Sequence, residues 1–324
     1  MPVQRFSIDL TGGPPPTQVA ITGTNSAQDY TFVGPITGHT HTGRLYLPEQ
    51  AGYVAASETL YPVIMAEHGK GGTPSTTETA LLADLKAGMT AGDCPGTILL
   101  MPSNNDGSGN PAWGRDSFDS AWKAESMRTL ELFAWVNQKT RANPARWCLT
   151  GFSMGAWTTF GLLCKWLAAV TPGAPRPHFK AVSLFAMPNA NANGTTNWAT
   201  GDNADFVRTF SSNAAYLATC SPVASTAGTG RAETYLDRIN AANALAPLWG
   251  SAPNQKRSVI RLVKSAADNV SLTSMNELDA RLTALGIEHV FEDLVTPTHN
   301  MGLYYTADAR NWLRFLAPFL TGTA

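Results

Sequence analysis

The 324-residue sequence is poor in charge: 15% of it is Asp, Glu, Lys or Arg, against about 25% in an average soluble domain. Asn, Thr, Ser and Gly take the place of the charged residues, and the formal net charge is −1. No excess of positive charge is left to attract nucleic acid or an anionic membrane surface, so neither is expected as a partner. Long apolar runs are missing too. The longest, near residue 161, is broken by Lys165 and is too short to cross a bilayer. The first seven residues, Met-Pro-Val-Gln-Arg-Phe-Ser, carry no apolar h-region, so no signal peptide is visible. The weakly charged polar composition nevertheless leans toward a secreted or extracytoplasmic setting. Cys94, Cys148, Cys164 and Cys220 include no C-x-x-C pair, which leaves a zinc ribbon or a thioredoxin-like motif without support. Cys148 and Cys164 fall in an expected strand and helix, where buried free thiols are usual. One disulfide, for instance from Cys94 or Cys220, stays open.

Apolar residues make up 44% of the chain, enough for a sizeable core. Residues 1–60 read as an antiparallel lead-in, with a proline-rich turn at Thr11–Pro16 and a short strand, Gly43–Leu47, stopped by Pro48. Beyond it the rhythm changes to strands alternating with helices. The expected strands are Pro62–Ala66, Thr97–Met101, Arg146–Thr150, Lys180–Ala186, Ser258–Val263 and Glu288–Val295. The expected helices are Thr76–Gly88, Ala121–Thr140, Thr158–Val170, Leu272–Leu285 and a closing Ala307–Leu320. In the second of these Met127, Leu130, Phe133 or Ala134, and Asn137 mark the turns. This alternation argues for βαβ units, a mostly parallel sheet and helices on both faces. The chain reads as one domain over residues 1–324, with 187–257 inserted as a cap over the C-terminal edge of the sheet.

Gly151-Phe152-Ser153-Met154-Gly155 matches G-x-S-x-G and stands between an apolar strand and a helix. Such a turn lifts a serine hydroxyl clear of the sheet at the positive end of a helix, and a Cβ at either flanking position would meet the neighbouring chain. The plain alternative is a helix start with Ser153 as N-cap. A nucleophilic serine needs a base, and the base needs a carboxylate to orient it. When these follow a serine elbow in the order serine, acid, histidine, each stands after its own later strand. His299, in the loop after Glu288–Val295, and Asp268, just past Ser258–Val263, fit that order. His289 sits at the start of its strand, the wrong end of the sheet, and Asp237 and Asp279 look embedded in helices. Asp268 could equally be the N-cap of the helix that follows it.

An oxyanion formed at Ser153 calls for two backbone N–H donors. Met154 offers one, and the glycine-rich loop His68-Gly69-Lys70-Gly71-Gly72 offers the other, with Lys70 preferred over Gly71. The loop lacks the spacing and ending of a Walker phosphate loop. His68 reads as a brace for that loop. His39 and His41 are spaced to share one strand face, but with no third metal ligand evident a plain hairpin is the simpler reading. Trp113 and Trp198 stand in polar Asn/Gly-rich loops, where an aromatic ring can stack on a sugar or an acyl group or simply pack.

On His68–Gly72, Gly151–Gly155, Asp268 and His299 the chain resembles the α/β-hydrolase superfamily. The likeness is greatest to its esterase branch of polyhydroxybutyrate-depolymerase-like, feruloyl and acetyl-xylan esterases. The resemblance covers about residues 60–186 and 258–320. It implies an α/β-hydrolase fold with a mostly parallel eight-stranded sheet and a Ser153–His299–Asp268 triad. The chemistry expected is serine esterase hydrolysis through an acyl-enzyme, with no metal or organic cofactor, on a small-molecule or polysaccharide-linked ester. A serine peptidase and a non-catalytic hydrolase-like carbohydrate-binding module are the rival readings.

Overall fold

The computed structural model describes residues 26–48, 59–105, 127–168, 179–188, 258–284 and 288–322. The expected cap lies outside them except for Met187 and Pro188, as do residues 1–25 of the lead-in, Cys220, Trp113 and Trp198. In chain order the strands are β1 (Gln28–Val33), β2 (Thr40–Tyr46), β3 (Tyr61–Glu67), β4 (Ile98–Pro102), β5 (Ala142–Phe152), β6 (Phe179–Phe185), β7 (Val259–Ser265) and β8 (His289–Leu294). The helices are α1 (Pro74–Ala91), α2 (Phe133–Lys139), α3 (Met154–Ala168), α4 (Leu272–Ala284), α5 (Met301–Asp308) and α6 (Asn311–Thr321).

The strands form one open sheet in the order β1-β2-β4-β3-β5-β6-β7-β8. β2 runs antiparallel to β1 and β4, and every pairing from β4 to β8 is parallel. The two kinds of strand are written differently. β1 alternates polar and apolar, which suits an antiparallel edge with one wet face, whereas β3 and β4 are buried throughout. Successive residues of β3 enter opposite cores. Val63 and Met65 pack with Phe133 of α2 and with Trp157 and Phe160 of α3, while Ile64 and Ala66 pack with Leu81 and Leu85 of α1 and Trp312 and Leu316 of α6. After β3 the chain passes to β4 on one side and then to β5 on the other. That reversal puts the topological switch point at the carboxyl ends of β3 and β5, the usual place for a site in an open parallel sheet.

Helix α1 begins earlier than apolar spacing alone suggested. Pro74 occupies its first turn, and the Thr73 and Thr76 hydroxyls accept each other's backbone N–H in a capping box. The helix expected over Ala121–Thr140 departs from regular spacing: Met127–Leu132 is a π-helical segment that continues into α2. The wider turn rotates the faces, so Leu130 is exposed while Arg128, Glu131 and Leu132 point inward. The single closing helix is also two, α5 and α6, parted at Ala309 and Arg310, whose φ values of 50° and 68° are left-handed.

That break has a partner in the sheet. Asp308, at the end of α5, accepts the Trp312 N–H at 2.6 Å and pairs through its other oxygen with the fully buried Arg261 of β7. Arg261 also binds Glu292 of the neighbouring β8 and the Ser183 hydroxyl of β6. Removing the cation would strand Asp308 in the interior. Arg261→Ala should therefore lower stability by about 3–5 kcal/mol, read as the urea midpoint at constant slope; a change within experimental error would contradict the pairing.

Candidate active site

Strand β5 ends at Phe152 and α3 begins at Met154, so Ser153 alone makes the corner. It does so with φ of 55°, a left-handed conformation that costs a non-glycine residue on the order of 1 kcal/mol. The corner is held from outside. The Ser153 N–H donates to the Phe185 carbonyl of β6 at 2.9 Å, and its own carbonyl accepts the Trp157 N–H at 3.0 Å to start α3. Both flanking glycines are required by contact. A Cβ on Gly151 would lie 2.5 Å from the Gly155 backbone, and one on Gly155 would lie 2.1 Å from the Glu67 carbonyl oxygen of β3.

The three residues singled out in order along the chain meet at this corner. The Ser153 Oγ lies 2.8 Å from His299 Nε2, and His299 Nδ1 lies 2.9 Å from Asp268 Oδ2. Ser153 and Asp268 are buried, and His299 is partly open to solvent, its ring 5.0 Å from that of Phe152. Nδ1–H donating to the carboxylate leaves Nε2 unprotonated toward the serine. Asp268 makes the contacts of a helix cap and of an imidazole partner at once. Its Oδ1 accepts the N–H groups of Val270 at 2.9 Å and Ser271 at 3.3 Å, closing the turn into α4, while Oδ2 faces the imidazole. Burial works against ionising this carboxyl, but hydrogen bonds from His299, Ser271 and Tyr304 prevail and bring its pKa down to about 2.

The glycine-rich loop crosses beside the serine. Gly69 abuts it, since an added Cβ there would lie 3.3 Å from Ser153 Cβ. Its carbonyl accepts the Gly72 N–H at 3.0 Å, closing a turn whose third residue, Gly71, has φ of 73° and so favours glycine. His68 Nδ1–H donates to the same carbonyl at 2.8 Å, and His68 Nε2 accepts the Asn104 N–H at 2.8 Å from beyond β4. The bracing expected of His68 is thus in place, and burial keeps its imidazole neutral by lowering its pKa. Because the Gly69 carbonyl and the Lys70 N–H belong to one trans peptide, fixing the first aims the second the opposite way.

Beneath this loop lies a polar network that amphipathic spacing did not reveal. Glu67, the last residue of β3, pairs with Arg128 at 2.5 Å, and Arg128 also reaches the Ser103 carbonyl at 2.9 Å. Asn104 Nδ2 donates to the Thr158 hydroxyl at 2.8 Å, which donates to the Met154 carbonyl at 3.0 Å. A charge closing an otherwise apolar run was the available signal for Glu67. For Arg128 there was none, because a regular helix would have faced it to solvent.

Other sequence expectations resolve differently. His39 stands one residue before β2, where its carbonyl accepts the Gly34 N–H at 2.8 Å and closes the β1–β2 hairpin. His41 Nε2 instead meets Glu131 Oε2 at 2.6 Å, and Glu131 also accepts the N–H groups of Ile36 and Thr37, each at 2.7 Å. No His, Cys, Asp and Glu group with metal-binding geometry occurs among the described residues. Cys94 and Cys148 are free and buried, and burial pushes both thiols up to about 12, too high for either to act as a thiolate; Cys220, the other residue named for a disulfide, lies outside the described residues. His289 bonds Asp279 at 2.9 Å at the start of β8, away from Ser153.

No family model and no curated protein matches the chain. Solved structures do. A ferulic acid esterase superposes with a TM-score of 0.64 at 14% identity, over 91% of this chain and 98% of that one. An S-formylglutathione hydrolase from Agrobacterium tumefaciens gives 0.63 at 14% identity, over 93% of this chain and 99% of its own. A ferulic acid esterase from Anaeromyces mucronatus, in complex with ferulic acid, gives 0.55 at 13% identity over 92% of each chain. These likenesses show that the chain has the α/β-hydrolase fold.

Two outcomes follow from the site's packing and charge. Gly155→Ala should cost at least about 2 kcal/mol, because backbone rather than a movable side chain blocks the added methyl; a neutral substitution would contradict the close approach. Asp268 has a folded pKa of about 2 against an ordinary 3.8, so its contacts stabilise the fold fully above that ordinary value. The contribution is lost as pH falls through about 2. Urea midpoints followed across that interval should decline less steeply in Asp268→Asn than in the parent chain, and equal slopes would count against it.

Proposed function

We propose that this protein is a serine esterase that hydrolyses carboxylic esters through an acyl-enzyme on Ser153. The observation that carries the reading is the unbroken line of contacts from the Ser153 hydroxyl through His299 to Asp268, at 2.8 Å and 2.9 Å. His299 Nε2 takes the hydroxyl proton as Ser153 Oγ bonds to the ester carbonyl carbon, and the carbonyl π pair moves onto oxygen. The N–H groups of Met154 and Lys70 hold that oxyanion, with Gly71 the alternative donor on the same loop. Met154 opens α3, where the first N–H groups lack partners within the helix and the dipole favours negative charge. The tetrahedral adduct collapses, the carbon–oxygen bond to the alcohol breaks, and His299 returns the proton to the departing oxygen. Water then adds to the acyl-serine with His299 again as base, releasing the acid and restoring the hydroxyl. Asp268 orients His299 and stabilises its imidazolium throughout. Ester and water supply every atom of this cycle, so it calls for no metal or organic cofactor.

The substrate we favour is a small or carbohydrate-linked acyl ester. Support comes from the weakly charged, Asn- and Trp-containing segments around Trp113 and Trp198, whose rings suit stacking on a sugar or an aromatic acid. The names of the ferulic acid esterases among the similar structures point the same way. Peptide cleavage by the same three residues is the nearest rival, and a non-catalytic binding module the more distant one.

Ser153→Ala and His299→Ala should each lower kcat for p-nitrophenyl acetate by about four to six orders of magnitude, since the members of such a triad act as a unit. Ser153→Ala should keep the parent's unfolding free energy to within about 1 kcal/mol, and His299→Ala should remain folded, though less stable because Asp268 loses a buried partner. A fluorophosphonate probe should label the parent at Ser153 alone, and a parent that resists the probe would make it a binding module. Matched acetyl, feruloyl and aliphatic esters, run beside the corresponding amides, separate the esterase from the peptidase by which bond is cut.

A further inference from the structure

The acid of the proposed triad is crowded. Asp268 Oδ1 is taken up by the backbone turn into α4, which leaves Oδ2 to face everything else. Three donors converge on that one oxygen: His299 Nδ1 at 2.9 Å, the Ser271 hydroxyl at 2.7 Å and the Tyr304 hydroxyl at 2.8 Å. A carboxylate oxygen offers two in-plane lone pairs, so three donors must share them. Asp268, Ser271 and Tyr304 are each fully buried, and the sharing takes place away from bulk water.

The competitors are held as firmly as the acid. Tyr304 lies on α5, and its N–H donates to the carbonyl of Asn300, the residue directly after His299, at 3.1 Å. Its ring packs 5.5 Å from that of Phe152 and edge-on to Phe185 of β6. One short segment therefore delivers both the imidazole and a rival for its carboxylate. Ser271 arrives from the acid's own turn. Burial and the adjacent Asp268 both raise the Tyr304 pKa, so the phenol stays a donor at every working pH. The groups facing this cluster are Ser153 and the Phe152 ring from the β5 corner, Ser265 from β7 and Phe185 from β6. Asp268 and His299 are its charged pair when the imidazole is protonated.

We propose that the Tyr304 and Ser271 hydroxyls are positioning groups that draw part of the Asp268 charge away from His299, and so set how far into acid the imidazole works as a base. The inference rests on the reading of Ser153, His299 and Asp268 as the catalytic residues. A carboxylate that already satisfies two hydroxyls attracts a proton on the neighbouring imidazole less strongly. The imidazole then stays unprotonated to lower pH, while the same two bonds hold the carboxylate in one orientation.

Tyr304→Phe removes the donor and keeps the ring. In this variant the midpoint of the acid limb of kcat/KM for p-nitrophenyl acetate should move up by roughly half a pH unit to one unit. Ser271→Ala should move it in the same direction, and the double variant further than either. A limb that stays put or moves down in both single variants overturns the proposal, because a merely structural role would loosen Asp268 and weaken its hold on His299. The second readout needs no turnover: the downfield Nδ1–H proton resonance of His299 in the resting full-length protein. It should move further downfield in Tyr304→Phe as the bond to Asp268 tightens, and an unmoved or upfield signal counts against the proposal. If the parent hydrolyses no ester, the esterase reading fails and this resonance alone decides the sharing. If the parent turns over while limb and resonance both hold still, only the sharing fails.

Discussion

The close approach of α3 to β3 at Gly155 is the constraint on which the rest of the site depends. With no side chain there, the helix backbone lies against the Glu67 and His68 carbonyls, closer than any Cβ would permit. That contact leaves a single residue to turn the chain from β5 into α3, and Ser153 accepts a left-handed φ to do so. It also sets the start of the helix beside the end of β3, so the glycine-rich loop leaving β3 emerges next to the serine. The proposed nucleophile and oxyanion donors thus share one origin, the backbone contact between two adjacent elements.

Charge is scarce in this chain, and much of what lies inside is used to tie loops to the sheet. Glu67 and Arg128 join the end of β3 to the π-helical segment. Glu131, on the same segment, gathers the β1–β2 hairpin through His41, Ile36 and Thr37. Arg261 joins β6, β7 and β8 to the break between α5 and α6. A buried ion pair gains little net stability over an apolar pair, because desolvation offsets its attraction. An unpaired member is very costly, however, so each pair penalises any arrangement that separates its halves. The wide turn at Met127–Leu132 serves this use of charge, since it brings Arg128 and Glu131 inward together.

Asp268 shows how one side chain can hold both a fold and a site. One carboxylate oxygen closes the turn into α4, and the other meets the imidazole and two hydroxyls. The cap and the acid had stood as rival readings of this residue, yet they use different oxygens of one group. The same economy appears at His68, where one ring nitrogen sets the Gly69 peptide and the other ties it to Asn104.

The alternation of strands and helices, the parallel core and the order serine, acid, histidine were legible in the residues because each depends on short-range pattern. Apolar runs mark buried parallel strands, and Gly151 and Gly155 mark a turn that admits no side chain. Patterns of this kind repeat within a few residues, so they survive without knowledge of what packs against them. Other features turned on partners far away in sequence. The inward face of Arg128 and Glu131 and the break that takes Asp308 to Arg261 needed tertiary contacts, as did the sharing of Asp268 by Tyr304 and Ser271. A buried polar group is stable only where its complement arrives, and local periodicity says nothing of that arrival. The sequence by itself therefore determined the architecture and picked out the side chains proposed to react, while the tertiary structure decided which buried polar groups hold them in register.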